Sequence, residues 1–181
     1  IHLCMSQKLS RGYGRAVDAA KSFSNIYVVD SWNISGGMGH LVFRAAEMAN
    51  AGACVEVILQ MLERERSKVQ TTVVLDSTDC VFRSGNLEKA QHILCEALNI
   101  HPMVRLRTGK VAVSGVCFGN PYHYAKRYLK RIFKKPEEID TDFVLLMYTS
   151  WSEKLIRYIE KEMRSMVDFN RILVVPTYAT V

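Results

Sequence analysis

Apolar positions along this chain come in short bursts and helical spacings, and their alternation predicts its elements. Residues 1–5 and 26–29 are brief runs rich in β-formers. Between them Ala16, Ala19, Ala20 and Phe23 fall on one helical face. Strand, loop, helix and strand at this spacing form a βαβ unit, which predicts a parallel pair. A loop over Asp30–Gly39 then feeds a helix with Leu41, Ala45, Met48 and Ala49 at helical spacing, ended by Asn50-Ala51-Gly52. Cys54, Ile58, Met61 and Leu62 form the inner face of the next helix, with Glu63-Arg64-Glu65-Arg66 as its outer face.

Around Val69 the pattern changes. Thr71 to Leu75 reads as a strand, and Leu87 to Leu98 as a short helix that aligns Leu87, Ala90, Leu94 and Leu98. Pro102 to Leu106 and Val111 to Cys117 flank Arg107-Thr108-Gly109-Lys110, the signature of a β-hairpin turn. Tyr122 to Phe133 is helical, with Tyr122, Ala125, Leu129 and Ile132 inward and Lys126, Arg127, Lys130 and Arg131 outward. Phe143 to Met147 is a strand, Trp151 to Met166 an amphipathic helix on Leu155, Ile159 and Met163, and Ile172 to Thr177 a last strand. The expected fold is α/β in two domains. Residues 1–72 carry a parallel sheet built from βα units. Residues 73–181 are α+β with a mixed or largely antiparallel sheet, the boundary falling near 68–78.

With 181 residues, 49% of them hydrophobic and 23% charged, the chain has the composition of an ordinary globular protein. No apolar run approaches the roughly 18–20 residues of a membrane helix, so no stable membrane insertion is expected. The start has no initiator Met, no basic n-region and no long apolar stretch, and it opens inside a strand. It is expected to be a piece of a longer protein and not a signal peptide. The five cysteines form no CxxC pair and sit in apolar or helical settings, which predicts reduced, buried thiols in the cytoplasm. The five histidines are scattered, so no metal is expected.

Net charge is +6 and unevenly spread: from His101 to Lys135 there are nine Lys or Arg and no acid. Such a block is read as a solvated helix face first, as a surface for a protein partner second, and as a nucleic-acid surface third. Aromatic interleaving on the same basic face is missing, so no nucleic acid is expected.

Ser10 stands where it would cap the helix through Ala16 and Ala20, leaving the N–H groups of Arg11, Gly12 and Tyr13 at the helix start, an end that favours an anion. A cap alone explains it too, but the loop follows a strand's carboxyl end, where open α/β sheets bind ligands. In the second loop the glycines of Ser35-Gly36-Gly37-Met38-Gly39 do not follow GxGxxG, and GxxxxGK[ST] occurs nowhere. Those glycines serve close helix packing as readily as ligand contact. A phosphate or nucleotide held by the Ser10 and Ser35–Gly39 loops is the alternative function. No nucleophile–base pair is visible, so no catalytic residue is named.

Three stretches, in order, carry a resemblance. "SQKLSRGYGRAVDAA" resembles the S-x-x-L-S-G-T-Y-x-x-A segment of the DegV family, bacterial fatty-acid-binding proteins. "VVDSWNISGGMGHLVFRAAEMANAG" resembles the V-D-S-x-x-x-S-x-G-x-G segment that follows it, and "LNIHPMVRLRTGKV" resembles L-N-I-K-P-I-L-x-x-x-x-G-K. The resemblance covers residues 6–115 well and the remainder loosely. It implies two α/β domains that hold a long-chain fatty acid between them and present it to a separate kinase for phosphorylation, feeding phospholipid synthesis, with the binding subunit doing no chemistry. Ser10, Arg11 and Gly12 would hold the carboxylate. Ile34, Gly36, Gly37, Met38, Leu41, Ile93, Leu94, Ile100, Pro102 and Met103 would line the acyl chain. The family's L-S-G-T-Y is here Leu9-Ser10-Arg11-Gly12-Tyr13, which replaces a threonine and brings in a cation.

Overall fold

A computed structural model describes residues 1–83 and 88–177, without the side chains of 80, 81 and 90–92. The chain forms two compact units, one of residues 1–73 with 104–113, the other of residues 74–103 with 114–181.

In the first unit β1 (His2–Cys4) leads to α1 (Gly12–Ala20) and β2 (Val28–Asp30), and the strands pair in parallel with Leu3 opposite Val29. The βαβ unit is as expected, but no residue of α1 is buried and Phe23 is exposed. The core is made by α2 (Ser35–Asn50) and α3 (Val55–Glu65) instead. Leu41, Ala45, Ile58, Met61 and Leu62 close it against Leu3 and Val29. Leu41 and Leu62 are completely buried, each contributing about 1.5–3 kcal/mol in apolar transfer. Two expectations need correction here. Ser35 to Gly39 belong to the first turns of α2, not to a loop. Cys54 precedes α3 and is exposed, so the thiols are not uniformly buried, although Cys4 and Cys117 are.

The hairpin appears as read. β4 (Ile100–Arg107) and β5 (Lys110–Phe118) are joined by Thr108 and Gly109, both with positive φ (47° and 81°), the backbone a two-residue hairpin turn demands. β3 (Thr72–Val74) lies on the other edge of β4. Leu75 N–H donates to Pro102 O and Leu106 N–H to Thr71 O, an antiparallel register.

The second unit adds α4 (Asp79–Arg83), which the apolar pattern does not announce, and α5 (Lys89–Ala97). Leu94 and Leu98 on or just beyond α5 are exposed, and the expected start at Leu87 lies outside the described residues. α6 (Pro121–Ile132) is capped by Asn120, whose side chain accepts from His123 N–H. α7 (Glu153–Met166) is capped by Ser152, accepting from Leu155 N–H. Each cap stabilises its helix by about 1 kcal/mol. These helices pack through Ala125, Leu129, Leu155, Ile159 and Met163 beside the parallel pair β6 (Phe143–Tyr148) and β7 (Arg171–Pro176). The inward tyrosine of α6 is Tyr124, fully buried; Tyr122, expected inside, is exposed.

Candidate functional site

The loop from β1 to α1 is held by backbone and side-chain hydrogen bonds, all inside the first unit. Ser6 N–H donates to Asn33 O at 2.9 Å, and Ser6 O accepts from Leu9 N–H (2.9 Å) and Ser10 N–H (3.1 Å). The buried Ser6 hydroxyl donates to Gly109 O at 2.7 Å and accepts from Lys8 N–H at 3.3 Å. Lys8 Nζ reaches Thr108 O at 2.8 Å. The hairpin tip is therefore tied to the candidate anion loop. Gly109 is needed there twice over: for its left-handed φ, and because a Cβ would stand 2.5 Å from Ser6 Oγ.

Ser10 is not the cap. Arg11 occupies the N-cap position with no side-chain bond, and Ser10 Oγ accepts from Gly12 N–H at 3.1 Å, a turn two residues long. The Gly12 amide is thereby taken. The amides of Arg11, Tyr13 and Gly14 have no acceptor among the described residues. The Ser10 hydroxyl accepts one bond and keeps its proton for another partner. A carboxylate here would meet one O–H and up to three N–H donors at a helix start, which favours negative charge. Ser10 is half-buried, and Arg11 and Gly12 are exposed.

A second network organises the loop after β2. Asp30, 3% exposed, takes Gln7 N–H (3.3 Å) and Trp32 N–H (3.0 Å) on Oδ1, and its Oδ2 has no partner. Arg66 donates to Asp30 O at 3.0 Å and lies over the Trp32 ring at 4.1 Å, so it does not belong to a solvated outer face of α3. Asn33 Nδ2 donates to Ser31 O and Arg66 O, and its Oδ1 accepts from Thr71 Oγ1 at 2.9 Å. Gly37 packs directly on this pair. A Cβ there would collide with Thr71 Oγ1 and stand 2.7 Å from Asn33 Oδ1. Close packing is what that glycine serves. Burial, aided by the Asp30 charge, pushes the Cys4 thiol pKa up.

The expected acyl-chain residues divide by unit. In the first, Ile34, Gly36 and Met38 are half-buried at the start of α2, while Gly37 and Leu41 are buried. In the second, Ile93 and Leu94 are exposed, Ile100 and Pro102 half-buried, and Met103 belongs to the core. A cavity of about 470 Å³ lies against Tyr13, β2 and α3, and Ser10 does not line it.

Sequence reading missed one polar cluster, in the second unit. Tyr124 Oη donates to Asp76 Oδ1 at 2.6 Å, and His101 Nδ1 lies 3.1 Å from Asp76 O with its ring 4.5 Å from that of Tyr124. Burial, and secondarily the bond to Asp76, push the Tyr124 phenol pKa well up. No local motif signals three residues that approach from three elements. Among the described residues no group of His, Cys, Asp or Glu could hold a metal, and no helix is long and apolar enough to cross a membrane.

The chain is 28% identical over 179 residues to a DegV domain-containing protein of Caldanaerobacter subterraneus subsp. tengcongensis, covering 96% of this chain and 62% of that protein. It is 34% identical over 116 residues to a DegV domain-containing protein of Deinococcus radiodurans, covering 64% and 41%. Among solved structures it is similar to a DegV family protein from Thermus thermophilus described by its fatty acid binding (TM-score 0.75, 27% identity, 95% of this chain and 61% of that one). The fold also matches the Streptococcus pneumoniae fatty acid kinase (Fak) B3 protein loaded with linoleic acid (TM-score 0.81, 17% identity, 97% and 63%). The chain thus spans less than two thirds of the length of these proteins. The model of the uncharacterised DegV family matches residues 1–181 from end to end, and the chain belongs to that family.

Proposed function

We propose that this chain binds a long-chain fatty acid and presents its carboxylate to a partner kinase in the cytoplasm, the acyl phosphate feeding phospholipid synthesis, while the chain itself does no chemistry. The observation that carries the reading is the uncommitted donor set at the start of α1: the Ser10 hydroxyl proton and the amides of Arg11, Tyr13 and Gly14. A carboxylate leaving water needs several donors to offset its desolvation. Gly12 contributes by being small, since a Cβ there would already be 3.3 Å from Ser10 Oγ. The tail would take the half-buried Ile34, Gly36 and Met38 at the start of α2, beside the loop. Each buried CH₂ contributes about 0.8 kcal/mol. The similarity to the Thermus thermophilus protein supports the ligand class, and the kinase partner rests on the family resemblance.

Organic extraction of the purified chain followed by mass spectrometry tests this directly, with a co-purified long-chain fatty acid as the expected result. Ser10→Ala is expected to weaken fatty-acid binding by about ten- to a hundredfold, one charge-assisted hydrogen bond of about 1.5–3 kcal/mol, in a chain that remains folded by circular dichroism. An absence of lipid together with stabilisation by a nucleotide would favour a phosphate ligand at the same donors. Normal binding per folded Ser10→Ala molecule would confine Ser10 to a turn.

A further inference from the structure

We propose that the outer face of α6, with the adjoining edge of α7, is a docking groove for an acidic peptide segment of a partner protein. The groove is a cavity of about 370 Å³ lined by Tyr122, His123, Lys126, Arg127 and Lys130 of α6 and Tyr158 of α7. The sequence reading does not put aromatic side chains on this basic face, because it turns Tyr122 inward and because Tyr158 comes from another helix. In the structure the Tyr122 and Tyr158 rings meet edge to face, centroids 5.1 Å apart, beside the cations. They give an apolar wall with polar tips, a surface suited to a protein interface.

The two helices handle charge in opposite ways. α7 is self-complementary: Arg157 pairs with Glu153 at 2.6 Å and Arg164 with Glu160 at 3.2 Å, both at i,i+4. α6 contains no acid and repeats like charge at the same interval, Lys126 with Lys130 and Arg127 with Arg131, pairs that oppose the helix. Lys126 is answered by Glu162 of α7 at 3.0 Å, and that bond raises its pKa. Arg131 donates to Ser114 O. Arg127 and Lys130 have no carboxylate partner among the described residues. A stripe that destabilises its own helix is relieved by an anion from outside. The Asn120 amide nitrogen can only donate to His123 Nδ1, 2.9 Å away, so the neutral imidazole carries its proton on Nε2 and adds another donor.

The occupant follows from size and sign. Arg127 and Lys130 are three residues apart on one helix, a separation that two acidic side chains of a short segment can match. The tyrosine pair takes one aromatic or aliphatic side chain beside them. A nucleic-acid backbone would want a continuous cationic track, whereas here Glu162 of α7 already pairs with Lys126 and interrupts it. This inference is independent of the fatty-acid reading.

The test is fluorescence anisotropy on the full chain with a fluorescein-labelled acidic peptide, acetyl-EEDEYLEDEE-amide. Labelled oligothymidine and phosphatidylglycerol vesicles run alongside it. Saturable peptide binding that weakens with added salt is expected, and the double variant Arg127→Glu with Lys130→Glu should lose about tenfold or more in affinity. The milder pair Arg127→Gln with Lys130→Gln should lose less, and Lys21→Glu on α1's end should change nothing. No binding of the peptide, binding indifferent to both double variants when circular dichroism shows them folded, or tighter binding of oligothymidine or vesicles would overturn the proposal.

Discussion

Replacing Tyr124 with Phe removes one oxygen and leaves the ring in place. Tyr124 is completely buried, its hydroxyl 2.6 Å from Asp76 Oδ1 and its ring packed on His101 and, at 6.1 Å, on Trp151. A hydrogen bond to a charged acceptor is worth about 1.5–3 kcal/mol. Here the Asp76 side chain is 56% exposed, so water recovers part of the loss, and the expected cost near pH 7 is about 1–1.5 kcal/mol. The pH dependence is sharper than the size. Because burial and the bond to Asp76 raise the folded phenol above its unfolded value, the neutral hydroxyl's contribution is fully present below about pH 10 and is lost as pH rises beyond it. There the unfolded chain ionises and the folded one does not. The slope is about 1.4 kcal/mol per pH unit for one proton. Wild type and Tyr124→Phe should therefore differ by a constant amount up to about pH 10, converge above it, and reach equality near pH 11.

Urea unfolding followed by Trp151 fluorescence reads this, in a Trp32→Phe background so that only the second unit reports. The other tyrosines titrate in both proteins and cancel. A difference that stays constant through pH 11 would refute the reasoning, since it would mean that the folded phenol ionises as freely as the unfolded one. A substitution without cost at neutral pH would refute the hydrogen-bond estimate.

Two glycines give further tests by thermal or urea unfolding. Gly37→Ala should cost about 2–4 kcal/mol, from overpacking plus the broken Thr71–Asn33 bond, whereas Gly14→Ala, with nothing within 4 Å, should be neutral or stabilising. Gly109→Ala should cost more than Gly52→Ala: both hold φ near 80°, but only at Gly109 does the new Cβ meet Ser6 Oγ. On the proposed function Gly109→Ala should also weaken fatty-acid binding, because the hairpin tip anchors the Ser6–Ser10 turn. Binding unaffected in folded Gly109→Ala would detach the hairpin from the site.

What was legible in the chain was whatever a local rule controls. The hairpin was readable because Gly109, between two apolar runs, supplies a left-handed turn position, and α7 because Leu155, Ile159 and Met163 keep one phase over its length. Three kinds of feature were hidden. The glycines of 36–39 read as loop by propensity, yet they lie in α2, where tertiary packing at Gly37 leaves no room for a side chain. On α6, tyrosines at 122 and 124 offer two phases for one apolar stripe, and only packing against His101 and Trp151 chooses the second. Arg66 looked like one more surface charge because its partners, Asp30 O and the Trp32 ring, lie over thirty residues away.

The placement of Ser10 shows how the candidate site differs from a capped helix start. A serine at the N-cap would accept from an amide deeper in the first turn and leave the donors behind it ordinary. One residue earlier, Ser10 accepts from Gly12 instead and leaves the Arg11, Tyr13 and Gly14 amides unused. The negative charge already in this region does not compete for them. Asp30 Oδ1 is held by Gln7 and Trp32, one amide from each of the two loops, so the carboxylate joins the loops and draws no donor from the start of α1. On the proposed function an incoming carboxylate would find its donors free, and Asp30→Asn should disturb how firmly the loops are joined before it alters which anion they accept. Lower affinity with an unchanged preference for carboxylate over phosphate is the expected outcome in competition binding, and a switched preference would place the Asp30 charge inside the recognition site.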